Sequence, residues 1–361
     1  MIPVTKPFLP PMEEYQELLK GIWDRNWLTN NGPLVNELEL RLKQYLNLDH
    51  LLFLSNGTIA IQIAIKALEL KGEVITTPFS YIATTSSVVW EGCQPVFADI
   101  DKETFNISPE SIEKHITDKT SAILATHVYG NPCDVEAIDA IAKKYNLKVI
   151  YDAAHAFGVK FRGKSIFEYG DISTTSFHAT KLFHTVEGGA VITRSPELLK
   201  KMAFLMNFGH DGPEKFVEVG INGKNSELHA AMGLCNLSHV EKILKKRKED
   251  YLYYQYSLQP LEFISQKIHK ETEYNYSYFP VVFNSEADVV KVMHELGNNK
   301  IFARRYFYPT LDVADYLETS SEISVAKDIA SKVLCLPLYY TISKVEIDMI
   351  CRIIKRSLRY N

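Results

Sequence analysis

The chain has 361 residues, 46% hydrophobic and 23% charged, enough to bury a large core and to form about two domains. Its 40 Lys and Arg against 44 Asp and Glu give a formal charge of -4, so no cation excess exists for nucleic-acid binding as a main activity. No apolar stretch reaches about 18 residues, which argues against a membrane span, and the first residues lack the apolar core of a signal peptide. The basic run from Lys242 to Lys248 falls in a helical pattern and reads as a solvated face. The 5 cysteines are odd in number and have no CxxC pair; they read as reduced cytoplasmic thiols, and no metal site is expected.

From Leu51 onward strand and helix signals alternate. The apolar run Leu51–Leu54 precedes a helical pattern over residues 58–70. Further strands are expected at residues 73–77, 95–98, 122–125 and 148–151, with helices near 81–91, 109–115 and 134–145. Strands at 172–177 and 189–193 continue the series, and residues 195–207 form a helix with Ser195 as its cap and Pro196 at its first position. Residues 226–256 read as one longer helical region. After residue 257 the pattern changes to a strand at 276–283, helices near 288–296 and 324–333, a strand into Leu336 and a final helix over 344–358. The expected fold is α/β. A large domain over residues 1–256 carries a mainly parallel sheet covered by helices, and a smaller α/β domain spans 257–361.

The stretch Ser176-Phe177-His178-Ala179-Thr180-Lys181, closed by Glu187-Gly188-Gly189, is the most informative. Asp152 ends an apolar strand upstream of it, in Val149-Ile150-Tyr151-Asp152-Ala153-Ala154-His155. A strand-borne carboxylate and a lysine among small and hydroxyl residues suit pyridoxal 5'-phosphate: the amine joins the aldehyde, and the carboxylate keeps the pyridine nitrogen protonated. Ser55-Asn56-Gly57-Thr58 lies where a strand meets a helix N-terminus. Gly57 allows close backbone approach there, Thr58 is placed to cap the helix, and free amides suit a phosphate. Ser176 offers a second phosphate donor, Tyr81 a ring to stack on the cofactor, and His155 a contact to its phenolic oxygen. For Gly57-Thr58, Tyr81 and His155, an ordinary structural role stays open at this point. His178 and His184 lack metal-site spacing.

One motif competes. Gly158-Val159-Lys160-Phe161-Arg162-Gly163-Lys164-Ser165 matches GxxxxGK[ST]. A phosphate-binding loop of that kind must open a helix, and here alternating Val159 and Phe161 predict a surface hairpin instead.

Taken together, the motifs resemble those of the DegT/StrS family of nucleotide-sugar aminotransferases. They run through Trp27-Leu28-Thr29-Asn30-Asn31-Gly32-Pro33, Ser55 to Thr58, Pro78 to Thr84, His127-Val128-Tyr129-Gly130, Asp152 to His155, Ser176 to Lys181, Glu187 to Gly189 and Gly220-Ile221-Asn222-Gly223-Lys224-Asn225-Ser226-Glu227. The resemblance implies the aspartate aminotransferase-like fold-type I and a transaminase. Lys181 would be the Schiff-base lysine and proton carrier, Asp152 the partner of the pyridine nitrogen, and His155 a neighbour of the phenolic oxygen. Gly57, Thr58 and Ser176 would hold the phosphate, with Tyr81 on the ring. Asn222 would reach the phosphate of a neighbouring subunit, making a homodimer. Thr29, Asn30, Tyr129 and the Arg304-Arg305-Tyr306-Phe307-Tyr308-Pro309 segment would line the sugar-nucleotide cleft. The implied reaction moves an amino group from L-glutamate to C4 of a dTDP-linked 4-keto-6-deoxyglucose, in surface-polysaccharide synthesis. A 3-keto, galactose-configured or UDP-linked sugar is the nearer alternative; a cofactor-binding sensor or nucleotide-binding protein is the remote one.

Overall fold

The computed structural model describes residues 1–259, 261, 263–317 and 322–359. A short strand β1 (Ile2–Pro3) and two helices, α1 (Met12–Arg25) and α2 (Pro33–Leu46), come ahead of the alternating segment. Pro33 opens α2 where its missing N–H goes unneeded, and Leu34, Val35, Leu38, Leu42 and Leu46 form its buried stripe. Alternation follows through β2 (Leu51–Leu54), α3 (Gly57–Ala67), β3 (Glu73–Thr76), α4 (Ile82–Trp90), β4 (Gln94–Phe97), α5 (Pro109–Lys114), β5 (Thr120–Thr126), α6 (Val135–Tyr145) and β6 (Lys148–Asp152). The hairpin β7 (Lys160–Phe161) and β8 (Lys164–Ser165) comes next, then β9 (Ile172–Ser176) and β10 (Gly189–Ile192).

Seven strands form one sheet in the order β2-β10-β9-β6-β5-β3-β4. β10 runs antiparallel to β2 and β9, and every other pairing is parallel. The middle of β5 is apolar: Ala122, Ile123, Leu124 and Ala125 are all fully buried, as a sheet covered on both faces requires. The GxxxxGK[ST] segment forms the antiparallel hairpin β7–β8, followed only by a three-residue 3-10 turn at Ile166–Glu168, so no helix stands behind it.

Two local expectations are corrected. Thr58 does not cap α3. Asn56 does, its side chain accepting from the Ile59 amide at 2.8 Å, because Gly57 is already helical and leaves Asn56 in the extended conformation of a cap. Residues 226–256 form two helices rather than one: α8 (Glu227–Leu237), capped by Ser226, and α9 (Val240–Leu258). The Ser238 hydroxyl takes the Cys235 carbonyl at the break. Between β10 and α8, α7 (Pro196–Leu205) starts with Ser195 accepting from the Leu198 amide, as expected.

The rest comprises β11 (Thr272–Glu273), β12 (Phe279–Val282), α10 (Glu286–Asn298), β13 (Ile301–Phe302), α11 (Ser324–Lys332), β14 (Val333–Leu336) and α12 (Lys344–Arg359). β12 pairs with β14, and β1 pairs with β13, so the N-terminal strand packs with the C-terminal elements. α9 bridges two cores: Val240 and Ile243 join the one under the seven-stranded sheet, while Tyr251, Tyr254 and Leu258 join the C-terminal one.

Candidate active site

From β3 the chain moves outward to β4 and then crosses to β5 on the other side, so strand order reverses between β3 and β5. Parallel sheets leave a crevice at such a point, beyond the carboxyl ends of the strands. A cavity of about 270 Å3 lies there, with Thr126, Asp152 and Ser176 at strand ends, Gly57 at a helix start, and Lys181 and Arg304 on loops.

Asp152 is 6% exposed. Its Oδ2 accepts from Thr84 Oγ1 at 2.7 Å and its Oδ1 from the Ala154 amide at 3.1 Å. Burial raises its carboxyl above the ordinary value, opposed by those two hydrogen bonds and by the charge on Lys181. Lys181 sits on the connection between β9 and β10. Backbone bonds from Phe177 to Gly188 and from Ala179 to Val186, both 2.7 Å, fold that connection onto itself, and the Lys181 amide donates to the His178 carbonyl at 2.8 Å. Burial pulls the Lys181 amine down to about 8, against the opposing pull of Asp152. A buried amine that loses its proton readily is the form able to attack a carbonyl.

His155 is buried with its ring 5.7 Å from Phe307 and only 4° from parallel. Its Nδ1 accepts the Tyr129 amide at 3.2 Å, so the single proton of the neutral ring belongs on Nε2, as a donor. Burial, reinforced by the Lys181 charge, holds the ring well below its ordinary pKa. Gly57 and Ser176 meet across the cavity wall: a Cβ on Gly57 would come 2.9 Å from Ser176 Cβ, so only glycine leaves that cradle open. The Gly57 and Thr58 amides, first in α3, have no helical acceptor. Together with the Ser176 hydroxyl they fit a phosphate, while Asp152, Lys181 and half-exposed Tyr81 fit a flat aldehyde-bearing ring. The residues therefore suit pyridoxal 5'-phosphate.

Other expected residues lie elsewhere. Tyr129 is fully buried behind the wall, its hydroxyl donating to the Tyr306 carbonyl, so it supports the segment rather than lining the cavity. Of residues 304–309, Arg304, Tyr306 and Phe307 line the cavity. Tyr308 does not: its ring lies 3.3 Å from the guanidinium of Arg305, which also holds the Ser331 carbonyl at 2.8 Å. Thr29, Asn30 and Asn222 are exposed and outside the cavity of their own chain. The Thr29 segment is anchored from afar. Glu227, fully buried, accepts from the Leu34 and Val35 amides at 3.0 and 2.9 Å, and its own amide donates to Leu28. His184 is structural, with Nε2 donating to the Phe8 carbonyl at 2.7 Å. Ser80, Thr126 and Tyr278 line the cavity without having been expected there; no spacing in the sequence marks them.

A half-buried lysine and a buried carboxylate lining one cavity, at the reversal point of a covered α/β sheet, define a site for amino-group chemistry. The chain belongs to the DegT/DnrJ/EryC1/StrS aminotransferase family, whose model matches residues 11–355. A dTDP-4-amino-4,6-dideoxy-D-glucose transaminase of Shigella dysenteriae is 45% identical over 358 residues, 98% of each chain. One of the same name from Escherichia coli is 40% identical over 349 residues, 94% of each. Among solved structures, DesI in the presence of its TDP-sugar product matches with a TM-score of 0.94 at 31% identity, over 99% of this chain and 93% of DesI. The fold is fold-type I.

Proposed function

We propose that this chain transfers an amino group from L-glutamate to C4 of dTDP-4-dehydro-6-deoxy-D-glucose, giving dTDP-4-amino-4,6-dideoxy-D-glucose, with pyridoxal 5'-phosphate as cofactor. The observation that carries the reading is the convergence of Lys181 and Asp152 on one buried cavity in a chain nearly half identical to a transaminase of that name. When bound, the cofactor supplies an electron sink for the carbon that loses or gains a proton.

The residues divide the remaining work. Lys181 would hold the cofactor and would carry a proton to and from the substrate carbon; an amine near 8 is matched to neutral pH in both directions. Asp152 holds a positive charge opposite its carboxylate, where water is excluded and the attraction is strong. His155, with its proton on Nε2, would donate to the cofactor's phenolic oxygen. The Gly57 and Thr58 amides with Ser176 would hold the phosphate, and Tyr81 would cover the ring face. Arg304 is the cation besides Lys181 at the cavity, suited to the anionic groups of both substrates. Exposed Asn222, Thr29, Asn30 and Tyr308 would serve a cleft shared with a second copy. Trp27, Phe216 and Val219 are also exposed, apolar surface of the kind a homodimer covers. No helix among the described residues is long and apolar enough to cross a membrane. A cytoplasmic dimer in surface-polysaccharide (O-antigen) synthesis accords with a nucleotide-sugar substrate.

The test is incubation of purified protein with L-glutamate and a panel of dTDP-, UDP- and GDP-linked keto sugars, with NMR of the product. An equatorial 4-amino sugar from the dTDP substrate supports the proposal, whereas an axial amine is the galactose-configured alternative and overturns the product assignment. Turnover confined to a 3-keto or UDP-linked sugar overturns it.

A further inference from the structure

Three buried hydroxyls form a line that ends on the site. Thr84 Oγ1 donates to Asp152 Oδ2 at 2.7 Å, Ser80 Oγ lies 2.8 Å from Thr84 Oγ1, and Thr126 Oγ1 lies 3.0 Å from Ser80 Oγ. The three residues are at most 2% exposed. Ser80 follows β3, Thr84 is in the first turns of α4 and Thr126 ends β5, so the line spans the two strands that flank the crevice.

Each hydroxyl owns one proton. An ionised carboxylate only accepts, so the Thr84 proton is committed to Asp152. Ser80 must then donate to Thr84, and Thr126 to Ser80. The direction of all three bonds is set by the charge at one end. A proton on Oδ2 would reverse every hydroxyl and leave Thr126 needing an acceptor, yet among the described residues its Oγ1 has no hydrogen-bond partner except Ser80. A proton on Oδ1 would remove the charge that strengthens the Thr84 bond.

We propose that Thr84, Ser80 and Thr126 are positioning residues for Asp152, a one-way hydroxyl relay that keeps its carboxylate ionised and its free lone pairs aimed into the cavity. The inference rests on the cofactor reading above. Burial works against ionisation, and the Thr84 bond is the largest influence opposing it. The other groups bearing on Asp152 are the Ala154 amide, the Lys181 amine and the Cys133 thiol. Of these, Lys181 leaves when it shuttles a proton. The relay and the Ala154 amide are then the polar support that stays in place. Bonds in series polarise one another, so the outer hydroxyls act through Thr84.

The test uses apo-protein with Asp carboxyls labelled with 13C, the Asp152 signal identified by its loss in Asp152→Asn, together with the dissociation constant for pyridoxal 5'-phosphate. Thr84→Val keeps the shape and removes the donor. It should raise the Asp152 titration midpoint by about one pH unit and weaken cofactor binding about 10-fold or more. Ser80→Ala and Thr126→Val should shift both in the same direction by about 2- to 5-fold. Thr84→Ser should stay near the wild type. An unmoved midpoint in Thr84→Val overturns the proposal, and a shift in Thr84→Val alone overturns the relay. Wild-type protein that binds no pyridoxal 5'-phosphate fails the cofactor reading instead; the carboxyl titration still reports on the relay.

Discussion

The most direct consequence of the site geometry is chemical. Burial lowers the Lys181 amine from an ordinary 10.5 to about 8. At pH 7 about one molecule in ten then carries the neutral amine, against roughly one in 3,000 for an ordinary lysine, a gain of about 300-fold in the reactive form. The rate at which apo-protein captures pyridoxal 5'-phosphate, followed by visible absorbance, should rise about tenfold per pH unit and level off near pH 8. The sign of the Asp152 effect is fixed as well: its charge favours the ammonium, so Asp152→Asn should move the midpoint below that of the wild type. Borohydride reduction and peptide mapping identify the lysine. A profile that climbs to the ordinary lysine value, an upward shift in Asp152→Asn, or label on Lys164 or Lys224 would refute the assignment.

Three further outcomes are expected. Asp152→Asn should retain the circular dichroism spectrum of the wild type while kcat falls on the order of 100-fold or more, because the opposing charge is lost while the single amide oxygen of Asn can still accept from one of the two donors, Thr84 or the Ala154 amide; full turnover would contradict the role given to Asp152. Glu227→Ala leaves two buried amides of α2 without an acceptor and should cost about 2–6 kcal/mol in urea denaturation. An unchanged midpoint would show that another group or water takes over. Gly57→Ala forces a methyl to 2.9 Å from Ser176 Cβ, and cofactor affinity measured by titration of apo-protein should drop about 10-fold, with an unaltered constant counting against the cradle.

Local chemistry made much of this legible in advance. Apolar runs bounded by turn residues located the sheet strands, and Asp152 and Lys181 stood out because their neighbours left few other uses for a strand-end carboxylate and a lysine among hydroxyls. α2 was not among the expected elements, which began at Leu51, although Pro33 followed by Leu34, Leu38 and Leu42 has a helical period. Other features depend on distance along the chain. Thr84 reaches Asp152 across 68 residues and Glu227 reaches Leu34 of α2 across 193, and no spacing rule connects such pairs. Tyr129 illustrates a different limit. An aromatic residue beside a site has the same local pattern whether it faces the cavity or, as here, braces the segment behind it.

The pairing of Ser176 with Gly189 closes the segment that carries Lys181 at both ends against the sheet. The lysine is thereby a tethered reagent. Once released from its partner it remains at a local concentration governed by a short loop, so its return needs no diffusional search. The same closure makes loop length a matter of phase. One residue added between 177 and 188 would turn the amine away from Asp152 while leaving the fold intact, whereas the β7–β8 hairpin tip can lengthen without touching the chemistry. Variation in length should therefore be absorbed at the hairpin and rejected at the lysine.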